Sequence, residues 1–294
     1  MRAIAALDEA LLRGRPLPQP GDGGKDERGA IAVIGGSREV PGAAFLAGLG
    51  ALRAGAGKLR VATTTARAAA LAVALPEALV MELPETDDGD LASECWELLA
   101  SRLSYADAIL FGPGMSQCDD THVLMGRLAA HRPDASLIVD AGALCGLSDH
   151  RDALLRREKP AVLTPHAGEM ANMLGVKREE IEAEPLRAAR DVAEKLNAVV
   201  AMKGAKTHVV GPDGEVFLYQ GGGVGLGTSG SGDVLAGVIA GLAARGASPL
   251  DATLWGVFLH GEAGAVLGET VGTLGFLARE ILPEVPRVLM RFEG

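Results

Sequence analysis

The stretch GLGTSGSGDVLAGVIAGLAARG, Gly225–Gly246, governs the reading of the whole chain. Glycines at 225, 227, 230 and 232 precede an apolar pattern at helical spacing in Val234, Leu235, Val238 and Leu242. Glycine lets backbone N–H groups converge with no side chain in the way, and a helix N-terminus adds positive partial charge. Gly230, Ser231 and Gly232 are therefore expected to form an anion hole for phosphate oxygens. Asp233, in the first helical turn, would repel that anion. Its placement suits a general base that takes a proton from a hydroxyl attacking a phosphoryl group. The helix end and backbone donors are expected to favour its ionised form. The plainer reading, a helix-start charge, is less attractive beside four glycines.

Two superficial motifs fail. Gly225–Gly230 matches GxGxxG in form, but it lies late in the chain and no acidic residue ends a strand about twenty residues on. Gly57-Lys58 resembles the end of a P-loop, yet Leu59 stands where Ser or Thr is required and position 52 is not glycine.

Upstream, VVAMKGAKTHVV ends one strand at Lys203-Gly204 and starts another at Thr207. Lys203 and Lys206 are positioned to meet nucleotide phosphates, and Thr207 to donate a hydroxyl. Further back, LTPHAGEM sets Thr164, His166 and Glu169 just after the strand Ala161–Leu163, where open α/β sheets bind ligands. His166 reads equally well as structural or substrate-contacting. Asp140 ends the strand Ser136–Val139 and is a further polar candidate. Near the N-terminus, VIGGS (Val33–Ser37) and PGAA (Pro41–Ala44) bracket a strand-to-helix loop. There, and at Phe111-Gly112-Pro113-Gly114, small residues let a ring or sugar approach the backbone.

Short Ile/Val-rich runs alternate with Ala/Leu-rich helical stretches. Strands are expected at Ala30–Ile34, Leu59–Thr63, Ala108–Phe111, Ser136–Val139, Ala161–Leu163, Val199–Met202, Thr207–Val210 and Glu215–Tyr219. Helices are expected at Gly42–Ala54, Ala66–Ala74, Leu91–Leu103, Thr121–Ala130, Ala167–Leu174, Leu186–Leu196, Ser231–Ala244 and Pro249–Leu267. Strands without alternation, separated by helices, indicate a mostly parallel sheet buried on both faces. Pro212-Asp213-Gly214 supplies a turn for one antiparallel ribbon. The 294 residues show no repeat or low-complexity linker, so one domain is expected over 1–294, with residues 1–24 as an N-terminal arm.

Composition narrows the partners. A net charge of −10 argues against nucleic-acid binding, which needs a basic surface. No run reaches the ~20 apolar residues of a membrane span, and no signal peptide is visible. Three scattered cysteines (Cys95, Cys118, Cys145) without a CxxC pair read as free thiols in a reducing cytoplasm. No His/Cys cluster suggests a protein-held metal.

These segments together resemble the ADP-dependent NAD(P)H-hydrate dehydratase family of the ribokinase-like superfamily. The match is collinear from about Lys25, through VIGGS, PGAAFLAGLGALRAGAGKL, FGPG, VDAGAL, LTPHAGE, KGAKT, SGSGD and Leu259-His260-Gly261, to a final LPEVPRVL. The resemblance implies a three-layer α/β/α sandwich around a mostly parallel central sheet. It implies Ala43, Gly114 and His166 lining the hydrated nicotinamide nucleotide. Lys203, Gly204, Ala205, Lys206 and Thr207, with Gly232, would hold ADP (or ATP), and Asp233 would be the base beside the substrate hydroxyl. Mg²⁺ bridging phosphates, a cytoplasmic setting and a homotetramer are further implications. The expected reaction is dehydration of the S-epimer of hydrated NADH or NADPH, by phosphorylation of its hydroxyl and loss of phosphate. No epimerase domain accompanies the match.

The chain departs from the family pattern twice. Asp140-Ala141-Gly142-Ala143-Leu144 replaces Asp-Ala-Asp-Ala-Leu, and Gly222-Gly223-Val224-Gly225 replaces Gly-Asn-Pro-Gly. Two other functions stay open at this point. One is a small-molecule kinase for a vitamin precursor on the same fold, and the other a non-catalytic nucleotide sensor.

Overall fold

A computed structural model describes residues 3–19, 21 and 24–292. Strand β1 (Ile4–Ala6) and helix α1 (Glu9–Arg13) come first. Alternation then sets in, with β2 (Ala30–Ile34), α2 (Gly42–Arg53), β3 (Lys58–Thr64), α3 (Thr65–Ala74) and β4 (Ala78–Leu83). It continues through α4 (Trp96–Ser101), β5 (Ala108–Phe111), α5 (Asp119–Ala130), β6 (Ser136–Val139), α6 (Arg151–Leu155) and β7 (Ala161–Leu163). Three helices, α7 (Ala167–Leu174), α8 (Arg178–Ala183) and α9 (Pro185–Leu196), lead to β8 (Ala198–Met202), β9 (Thr207–Val210) and β10 (Val216–Tyr219). The described chain closes with α10 (Ser231–Ala244), α11 (Pro249–Thr270) and α12 (Ala278–Leu289).

All ten strands form one sheet in the order β1-β10-β9-β8-β7-β6-β5-β2-β3-β4. From β8 to β4 every pairing is parallel, as expected for strands linked by helical crossovers. Strand β9 is antiparallel to both β8 and β10, which is the ribbon anticipated at Pro212-Asp213-Gly214. The sheet separates two apolar layers. Ile31, Val33, Ala108 and Leu110 join α2, α10, α11 and α12, while Ala32, Ile34, Ile109 and Phe111 join α5, α7 and α9. Period-two alternation along each strand produces this division, giving the α/β/α sandwich.

Glycine and alanine place α10 against α2. A Cβ at Gly237 would lie 2.1 Å from the Ala47 carbonyl oxygen, and one at Gly241 would lie 2.4 Å from that of Ala51. Only hydrogen at these two positions permits so close an approach, and it fixes where α10 begins relative to the sheet. No helix among the described residues is long and apolar enough to cross a membrane.

Several elements differ from expectation. In place of a helix over Leu91–Leu103 there is a 3-10 turn at Ser93–Cys95 followed by α4. Within the expected arm over residues 1–24, β1 pairs in parallel with β10, Leu12 is fully buried, and the Arg15 carbonyl accepts a 2.8 Å bond from Trp255 Nε1. Residues 1, 2, 20, 22 and 23 of that arm lie outside the described residues.

Candidate active site

The carboxyl ends of the parallel strands define the site. Strands β6, β7 and β8 are successive neighbours, so the residues that follow them, Asp140, Thr164 and Lys203, converge although they are far apart in sequence. Lys203 Nζ lies 3.2 Å from Asp140 Oδ1 and 3.5 Å from Glu169 Oε2. Thr164 Oγ1 donates to Asp140 Oδ1 at 2.7 Å. Burial alone would lower the Lys203 pKa, but Asp140 and Glu169 outweigh it and hold the ammonium charged. Lys203, expected to meet nucleotide phosphates, therefore sits paired with two carboxylates at the mouth of the site.

Helix α10 starts directly above this cluster. Its N-cap, Gly230, has φ +87°, a left-handed conformation that suits glycine and lets the chain turn sharply into the helix. A Cβ at Gly232 would lie 3.3 Å from Lys203 Nζ, so the helix start faces the lysine. Ser231 N–H donates to the Thr228 carbonyl at 3.2 Å, and Ser231 Oγ lies 2.9 Å from His260 Nε2. Ser231 thus offers its hydroxyl, with its N–H already engaged.

Asp233 behaves differently from the sequence-based expectation of an ionised carboxylate. Burial, helped by the negative charge of Asp140, raises its pKa to about 7, and Lys203 opposes this only in part. Desolvation and like charge therefore outweigh the helix-end donors. The group titrates near neutrality, a useful place for a general base.

A cleft of about 710 Å³ opens beside α10. Lys203, Gly204, Ala205, Thr207, Ser231 and Gly232 line it, together with His166. Lys206 instead borders the adjoining hollow with Arg178 and His208. His166, expected to line the hydrated nicotinamide nucleotide, stands just beyond the end of β7. Because β7 and β8 are neighbours, it forms a bridge with Lys203 and shares the same cleft. Its Nδ1 also accepts from Gly168 N–H and Glu169 N–H, so it caps α7.

Ala43 and Gly114 lie together, outside the residues lining that cleft. A Cβ at Gly114 would be 2.7 Å from Ala43 Cβ, which puts the loop after β5 on the first turn of α2. One turn along α2, Leu46 reaches Gly230, and a Cβ at Gly230 would be 4.0 Å from Asp233 Oδ2. Gly232 therefore faces the cleft, while Gly230 packs against α2 close to Asp233.

The two family departures have local structural correlates. A Cβ at Gly142 would fall 2.2 Å from the Met115 carbonyl oxygen, so aspartate there needs a shifted loop. Gly223 has φ +75° and ψ 170°, a region that asparagine resists, and Val224 is 74% exposed at the cleft wall. Tyr219, Gln220, Leu226 and His260 also line the cleft, and sequence reasoning gave them no role. Only His260 had a signal, through the Leu259-His260-Gly261 motif.

A three-layer α/β/α fold with a glycine-rich helix start at the carboxyl edge of its sheet defines a ribokinase-like protein. Within that class the chain belongs to the NAD(P)H-hydrate dehydratase family, whose model matches residues 31–287. An ADP-dependent (S)-NAD(P)H-hydrate dehydratase from Xanthomonas campestris is 49% identical over 98% of this chain and 97% of its own length. A bifunctional NAD(P)H-hydrate repair enzyme from Moorella thermoacetica is 37% identical over 98% of this chain but 54% of its own, so the chain spans about half of such relatives. The crystal structure of an ADP/ATP-dependent NAD(P)H-hydrate dehydratase from Bacillus subtilis, co-crystallized with ATP/Mg²⁺, superposes with a TM-score of 0.85. It is 31% identical, over 99% of this chain and all of that one.

Proposed function

We propose that this chain catalyses the ADP-dependent dehydration of the S-epimer of hydrated NADH or NADPH. The observation that carries the reading is the partly buried Asp233 carboxyl group at the start of the glycine-lined helix, where desolvation and the charge of Asp140 push its pKa up to about 7. A sensor needs no such base. The relatives' shared name supports a dehydratase over a simple kinase.

In this reading the terminal phosphoryl group of ADP lies at the α10 start, near Gly232 and Lys203. The Lys203 ammonium, paired with Asp140 and Glu169 in the free site, turns to neutralise charge on that phosphoryl group. The hydroxyl of the hydrated ring, approaching from the side of Ala43 and Gly114, attacks phosphorus as its proton passes to Asp233. The bond from phosphorus to the bridging oxygen breaks, and AMP leaves. Hydroxide is a poor leaving group, whereas the phosphate ester is a good one. The ring nitrogen lone pair expels phosphate, and loss of a neighbouring ring proton restores the dihydronicotinamide. Positioning and charge stabilisation supply most of the rate.

Among the described residues no cluster of three or more His, Cys, Asp or Glu is arranged to hold a metal. The carboxylates of Asp140 and Glu169 already pair with Lys203. Mg²⁺ would therefore arrive on the nucleotide phosphates and neutralise their charge there. A cytoplasmic homo-oligomer, tetrameric by family likeness, completes the reading, and sedimentation of the purified chain tests the assembly. The activity is tested by adding hydrated NADPH, ADP and Mg²⁺ and following phosphate release.

A further inference from the structure

His260, the one buried histidine among the described residues, touches the glycine-rich helix start. It lies on α11 and is 8% exposed. Its Nε2 makes two contacts with one residue, 2.9 Å to Ser231 Oγ and 3.0 Å to the Ser231 carbonyl oxygen. A carbonyl oxygen can only accept. The 3.0 Å contact therefore requires the proton on Nε2, because the other neutral tautomer would set two lone pairs against each other. Burial lowers the ring's pKa to about 4, so it is neutral at pH 7 and holds a single ring proton.

That proton fixes the direction of the next bond. An Nε2–H shared between the carbonyl and Oγ makes the Ser231 hydroxyl an acceptor from His260. Among the described residues the hydroxyl's own hydrogen then meets no protein acceptor. Ser231 and His260 both line the cleft beside Lys203 and Gly232. The Ser231 backbone N–H is occupied by Thr228, so the hydroxyl is the donor this residue has left to give.

We infer that His260 is a positioning residue that orients the Ser231 hydroxyl, so that its O–H donates to an oxygen of the phosphoryl group held at the start of α10. The inference rests on the proposed phosphoryl transfer. It adds a side-chain donor and its orienting partner to the backbone donors of the anion hole. A donor aimed where charge develops in the transition state typically contributes ~100-fold or more to turnover.

The test uses Ser231→Ala, His260→Leu, the double variant and His260→Gln, whose amide places an N–H near the Nε2 position. Ser231→Ala and His260→Leu are each expected to lose ~100-fold in kcat, with the KM for ADP changed less than about threefold. The double variant should lose no more than either single one, because both remove the same bond. His260→Gln should recover at least about tenfold over His260→Leu. Wild-type turnover in Ser231→Ala overturns the inference, as do multiplying losses in the double variant or a glutamine no better than leucine at equal melting temperature.

If His260→Leu does not fold, nitrogen-15 NMR of the intact wild-type protein still decides the tautomer. A protonated Nε2 with bare Nδ1 at pH 7 agrees with the inference, and a protonated Nδ1 refutes it. This readout needs no hydrated dinucleotide. Wild-type protein with the Nε2–H tautomer but no dehydratase activity would sink the proposed function and leave the tautomer assignment standing.

Discussion

Turnover should fall about tenfold for each pH unit below 7, through one carboxyl group. Burial and the charge of Asp140 lift the Asp233 pKa from 3.8 to about 7. For an acid a raised pKa means that the neutral form persists further up the scale. A general base must be deprotonated, so activity is present above 7 and is lost as the pH falls through it. About one molecule in ten is competent at pH 6 and about one in a hundred at pH 5. With an ordinary pKa, more than about nine in ten would still be ionised at pH 5. The assay is kcat/KM for hydrated NADPH between pH 5 and 8 at saturating ADP and Mg²⁺, because this ratio reports groups of the enzyme before the hydrated substrate binds. Asp140→Asn removes the neighbouring negative charge and one partner of Lys203, 3.2 Å away. Its residual activity should show the inflection at lower pH. A flat wild-type profile from pH 8 to 5, or an inflection that rises in Asp140→Asn, would refute the argument.

Asp233→Asn should bind ADP nearly as the wild type does in calorimetry while losing ~100-fold or more in turnover, since the amide keeps the shape but cannot take the proton. Gly232→Val places branched carbon toward Lys203 Nζ, already 3.3 Å from a bare Cβ position, and should weaken ADP binding about tenfold, ~1.4 kcal/mol, by the same measurement. His166→Ala removes the acceptor for Gly168 and Glu169 N–H at the start of α7, costing ~1 kcal/mol and lowering the melting temperature by ~2 °C. Because His166 shares the cleft with Lys203, the KM for ADP should rise as well.

The parallel sheet was legible because its central strands are short, wholly apolar runs, such as Ala30–Ile34 and Ala108–Phe111, bounded by glycine turns. The misses lie where local signals conflict with packing. Strand β4 alternates in burial as an edge strand does, and Met81 and Leu83 face the core while Glu82 faces out. Helix α12 contains Pro283 and Pro286, which argue locally against a helix. The apolar face of Ile281, Leu282, Val285 and Val288 buries fully enough to override that signal. In the site, the glycine run and the lysine and histidine turns could be read from residue type and position. The union of Asp140, Glu169 and Lys203 could not, because it depends on which strands are neighbours. The direction of the Asp233 shift failed for the same reason. Its dominant causes are burial and a carboxylate 93 positions away in the chain, and both are properties of the folded site.

The central claim is that one site both phosphorylates the hydrated ring and releases the phosphate. The most direct measurement incubates the purified protein with S-hydrated NADPH, ADP and Mg²⁺. Dihydronicotinamide absorbance, AMP and inorganic phosphate are followed together. The account predicts that all three appear in equal amounts and that omitting ADP abolishes them all. AMP formed alongside a stable phosphorylated dinucleotide, with no absorbance recovered, would contradict it and identify a kinase. Tight ADP binding without any turnover would contradict it in favour of a sensor.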